Sequence, residues 1–165
     1  MISLAPIIDV LAAKPDGFDE IWFRRIDGVA EGEQIRAEAM PMPACWIMRE
    51  SEKSDHAGSH AELVTVTVSV VIGVECHRQH REPNAADETM LRYRTAVKNR
   101  LLGFDGPEEH ANKVNYAGGK LLAYGKGYLY WMDTYTVRAL VTNYKPDPDA
   151  VGTRIERITD NDHLL

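Results

Sequence analysis

Residues 63–75 read LVTVTVSVVIGVE, and their alternation decides the fold. Every even position is β-branched and aliphatic: Val64, Val66, Val68, Val70, Ile72 and Val74. The odd positions carry Leu63, Thr65, Thr67, Ser69, Val71, Gly73 and Glu75, which are mostly small or polar. Side chains alternate faces along a strand, so the even set forms one continuous apolar stripe. A one-sided stripe predicts a strand of a mostly antiparallel sheet, packed on one face and wetter on the other. At ~3.4 Å per residue the strand would reach roughly 44 Å, well beyond the ordinary ~17–20 Å. Such a strand is expected to bend or to outrun its sheet, and Gly73 is the expected bend or bulge.

Working outward, residues 44–50, ACWIMRE, form a second expected strand, with Trp46 and Met48 sharing a face. Residues 51–62, SEKSDHAGSHAE, are polar and turn-rich, which predicts a long mobile loop at the tip of a hairpin. Upstream, Leu4, Ile7, Ile8 and Leu11 keep the spacing of an amphipathic helix, with Ser3 as N-cap and Pro15 and Gly17 beyond its end. Residues 21–26, IWFRRI, suggest a short strand, and residues 28–43 a loop or arm that orders against a partner.

Downstream, a helix is expected over residues 85–102, capped by Asn84 and closed by Gly103. Its buried stripe is Ala86, Met90, Tyr93, Val97 and Leu101, and Glu88 with Arg92 makes an i,i+4 pair outside. Residues 125–127, GKG, predict a hairpin turn between two further strands. In the second of these, Leu129, Trp131, Tyr135, Val137, Ala139 and Val141 share a face that Asp133 interrupts, which predicts a bulge or a polar contact. The result is an α+β fold: a mostly antiparallel four- to five-stranded sheet with a long hairpin, packed by an N-terminal and a central helix. Residues 1–144 are expected to form one domain and residues 145–165 an extended tail.

A net charge of −6 at pH 7 argues against general nucleic-acid binding, which needs a basic face. Two cysteines, Cys45 and Cys76, are too few for a disulfide framework and are expected to be reduced. Asp9 interrupts the apolar N-terminus, which also lacks a basic start, so a signal peptide is rejected. No apolar run is long enough to span a bilayer.

Cys76, His77, His80 and Glu82 carry zinc-ligand chemistry. Their spacing matches no ligand pattern, and a surface cluster at a strand-to-helix connection explains them without metal. A small metal-dependent enzyme using Cys76, His77 and His80 is the alternative of a different class. His56 and His60 read as solvated, and Gly118-Gly119 as a tight bend before a strand. Tyr124, Tyr128, Tyr130, Trp131 and Tyr135 suit a strand core or a subunit interface better than a ligand platform. No catalytic constellation emerges.

The stretch from Arg100 to Val137 resembles the tail terminator proteins of long-tailed bacteriophages and prophages. The resemblance rests on the turn Leu102-Gly103-Phe104, then Tyr116 with Gly118 and Gly119, then Trp131, Asp133 and Tyr135. The order of elements fits along about the first 142 residues. The resemblance implies a non-enzymatic virion protein without cofactor or metal, assembled in the bacterial host cytoplasm. Such subunits form a homo-oligomeric, hexameric ring on the head-proximal end of the tail tube. The ring stops tube polymerisation and offers a docking face to the neck, or head-completion, protein of the capsid. An acidic lining would let DNA pass without sequence-specific binding and without a membrane partner. Another neck or tail-completion ring protein is the nearest alternative. Gly103, Gly118, Gly119, Trp131, Asp133 and Tyr135 are the motif packing residues. Glu31, Glu33, Arg36, Glu38 and Glu50 are the charged residues expected at the assembly interface.

Overall fold

The structure, a computed structural model, describes residues 2–29, 41–58, 61–76, 85–106, 111–125 and 127–142. The elements run α1 (Ala5–Ala12), β1 (Arg25–Val29), β2 (Ala44–Gly58), β3 (Ala61–Glu75), α2 (Ala85–Leu101), β4 (Asn115–Gly125) and β5 (Tyr128–Thr142). The strands form one sheet in the order β1-β2-β3-β5-β4. Only the β1–β2 pair is parallel. The α+β class and the two packing helices follow the sequence reading.

β3 is the central strand, paired with β2 on one side and with β5 along its whole length on the other. Its even residues face the helices in one apolar core with Ile7, Leu11, Met90, Tyr93, Val97 and Leu101. Trp22 and Phe23 enter the same core, and Trp22 Nε1 donates to Leu11 O at 2.7 Å. Burying each such aliphatic side chain contributes about 1.5–3 kcal/mol, which is why the alternation fixes which face meets the helices. The other face carries a smaller cluster: Met42, Ala44, Trp46 and Val71, flanked by Met48, Tyr128, Tyr130 and Met132. Trp46 and Met48 do share a face, and it is the one turned away from α2.

Several local expectations need correction. The segment expected as a loop over residues 51–62 is mostly strand: β2 runs to Gly58 and β3 starts at Ala61. Its residues pair across the hairpin while remaining mostly exposed, so backbone pairing rather than burial holds it. Gly73 is neither bend nor bulge. It pairs in regular register with Ala44 and Tyr130, and a Cβ there would meet Tyr130 Cε1 at 2.9 Å and Met42 Sδ at 3.0 Å. The β2 irregularities lie between Arg49 and Ser51 and between His56 and Gly58.

The first strand is Arg25–Val29 rather than residues 21–26, because Trp22 and Phe23 are apolar in order to pack against Tyr93. α1 begins after Leu4, and the Ser3 hydroxyl accepts from Ala5 N at 3.2 Å without capping the helix. Arg92 pairs with Glu20 at 2.8 Å instead of with Glu88. Gly118 and Gly119 lie inside β4 and are not a bend before a strand. Gly103 closes α2 at φ +78° as expected of a helix-ending glycine. Asn84 and the tail over residues 145–165 lie outside the described residues.

Candidate functional site

The motif residues of the β4–β5 hairpin converge on a buried carboxylate. Asp133 is fully buried on the helix-facing side of β5, where the alternation would otherwise place an aliphatic residue. An uncompensated charge there would be very costly, so the acid must be paired and hydrogen-bonded. Arg94 of α2 supplies the pair with both arms of its fork: Nε donates to Oδ2 at 3.0 Å and Nη2 to Oδ1 at 2.8 Å. Tyr116 of β4 donates its hydroxyl to Oδ1 at 3.1 Å, and Trp131 donates Nε1 to the same oxygen at 3.0 Å.

The cluster is layered. The Arg94 guanidinium lies 4.0 Å from the Trp131 ring centroid, and Lys98 Nζ lies 3.6 Å from that of Tyr116. Tyr116 meets Tyr135 edge-on at 5.6 Å. Gly119 lies under the assembly, where a Cβ would sit 2.2 Å from Asp133 Oδ1 and 2.8 Å from Trp131 Nε1. Burial works against the Arg94 cation, but the Asp133 carboxylate outweighs it and raises the guanidinium pKa. Burial first, and then Asp133, pushes the Tyr116 phenol up, so it stays protonated and donates. The same two causes raise Tyr135, whose hydroxyl has no hydrogen-bond partner among the described residues.

The acid accepts from Arg94, Tyr116 and Trp131 at once, which makes the arrangement a structural tie. It fastens the β4–β5 hairpin to α2 and fixes the register of β4. The sequence suggests a bulge or a polar contact at Asp133; the polar contact is what forms, and its partner Arg94 is not foreseen. A lone acid in an aliphatic stripe was the available signal, and Arg94 flanks the buried Tyr93.

Among the described residues, the hairpin so fastened ends in a strand that pairs on one side only. β4 lies at the sheet edge and exposes Leu121, Leu122 and Tyr124 to 52%, 44% and 70%. Natural sheets normally guard such edges, and apolar side chains on one mark a place where another chain adds. β1 forms the opposite edge, with Arg25 and Gly28 exposed and an Arg25–Asp27 ion pair at 2.5 Å.

Of the expected interface residues, Glu50 is exposed at the β2 irregularity and accepts from the Ser69 hydroxyl at 2.5 Å. Glu31, Glu33, Arg36 and Glu38 lie outside the described residues, as do His77, His80, Glu82 and His60. Cys76 is partly buried, and burial raises its thiol pKa, which works against the thiolate a metal would need. Among the described residues no three potential metal ligands cluster. Among them too, no helix is long and apolar enough to cross a membrane.

The family model described as phage tail terminator protein matches residues 2–145 of the 165. No curated protein matches the chain. The chain belongs to the phage tail terminator family, whose members are structural proteins of tail completion.

Proposed function

We propose that this protein closes the head-proximal end of the phage tail tube as a homo-oligomeric, hexameric ring. In that position it stops tube polymerisation and presents the docking face for the neck protein of the capsid, while DNA passes through the opening. Its role is structural and requires no cofactor. The observation that supports the reading, beside family membership, is a sheet whose two edge strands, β1 and β4, pair on one side only among the described residues. A subunit with two different open edges joins head to tail, and head-to-tail contacts close into rings when the rotation is right. A net charge of −6 per chain suits a channel lining that repels DNA rather than binding it. Glu31, Glu33, Arg36, Glu38 and Glu50 belong, in this reading, to the contacts with neighbouring subunits or with the tube.

Tail-tube growth tests the reading. Purified tubes incubated with tube protein should stop elongating when this chain is added, with one ring visible at one end by electron microscopy. Charge reversal at Glu33 or Arg36 should weaken capping. Tubes that keep growing and remain bare at both ends would overturn the proposal.

A further inference from the structure

The sheet register places the two terminal strands at the same level. One row of paired residues runs Asp27, Trp46, Val71, Met132 and Lys120, from β1 to β4. The adjacent row runs Ile26, Cys45, Ile72, Trp131 and Leu121. Asp27 and Lys120 therefore lie on the face turned away from α2, at opposite ends of one row. Ile26 and Leu121 lie at opposite ends of the next row, on the helix-facing side. Acid stands against base and aliphatic against aliphatic.

Direction matches as well. β1 is parallel to β2, and three antiparallel steps lead from β2 through β3 and β5 to β4. β1 and β4 thus run antiparallel within one chain. Added to the β4 edge of one copy, β1 of the next would pair in the antiparallel sense, with each row continuing across the junction. The stretch of β4 level with Ile26 to Val29, Gly118 to Leu121, is the regular part between its two register shifts.

We infer that a second copy of this chain docks on the β4 edge through its β1 strand, with Lys120 opposite Asp27 and Leu121 opposite Ile26 of the neighbour. Strand addition supplies main-chain hydrogen bonds, and the two side-chain pairs select the register. This inference rests on the ring reading above and names its subunit contact.

The test uses the full chain with Cys76→Ser, which leaves only the buried Cys45 thiol. Lys120→Cys and Asp27→Cys are introduced together. Within one chain the two positions are four strand spacings apart, roughly 19 Å, too far for a disulfide. Between neighbours they are opposite, with Cβ atoms about 4.5–5.5 Å apart, within reach after small adjustment. Mild oxidation should give a ladder of covalent multimers ending in a closed ring, and neither single variant should give one. Leu121→Asp in the native background should reduce assembly while the single chain still folds, because the side chain is half exposed and lies outside the apolar core.

A dimer from Lys120→Cys alone would overturn the inference in favour of a symmetric β4–β4 contact. A multimer by light scattering that yields no ladder would overturn the edge contact and leave the ring reading standing. A chain that stays monomeric even with tail tubes present would overturn both.

Discussion

At the residue scale the molecule turns on Asp133. Replacing it by Asn keeps an acceptor for Tyr116 and Trp131 but leaves the half-buried Arg94 charge unpaired. The expected cost is about 3–5 kcal/mol by chemical denaturation. Adding Arg94→Met should recover part of that loss, because the stranded charge is then gone; a double variant as unstable as the sum would refute the pairing. Gly119→Ala places a methyl group 2.2 Å from Asp133 Oδ1 and should cost about 2–3 kcal/mol. Alkaline pH tests the phenols. Burial, reinforced by Glu20, pushes Tyr93 from the ordinary 10 up to about 12, and its hydroxyl donates to Ile21 O. A raised folded pKa means stability that is intact below pH 10 and lost as pH rises towards 12. Stability followed over that window should fall, and Tyr93→Phe should fall less steeply after an initial loss of about 1 kcal/mol for the hydrogen bond.

At the element scale, the central strands hold the fold, and the edge strands are where the proposed partner contact would form. In dilute protein, hydrogen exchange should be slowest in the β3–β5 pair and fast at the outward amides of Gly118 to Leu121. Under assembling conditions those β4 amides should slow selectively. Unchanged exchange there on assembly would mean that another surface makes the contact. The sequence made β3, α2 and β5 legible because each repeats an apolar stripe at its own period. It hid the outer part of β2, where both faces are mostly polar and pairing leaves no burial signature. It misplaced β1 because Trp22 and Phe23 imitate a strand while serving the core beneath Tyr93. Arg94 stayed hidden for a different reason: an ion pair across 39 positions is set by how α2 lies on the sheet, which no local pattern encodes.

At the scale of the whole molecule, a core-facing stripe and the buried Arg94–Asp133 pair hold a sheet whose edge strands, among the described residues, each pair on one side only. Family membership supplies the tail-completion role, and the proposed β1–β4 contact would supply a way to close a ring. Native molar mass by light scattering across a concentration series tests this most directly. A species near six chains of 18.5 kDa, about 111 kDa, is expected, either persisting on dilution or appearing once tail tubes are added. A mass that stays at one chain at every concentration, with tubes present and uncapped, would contradict it.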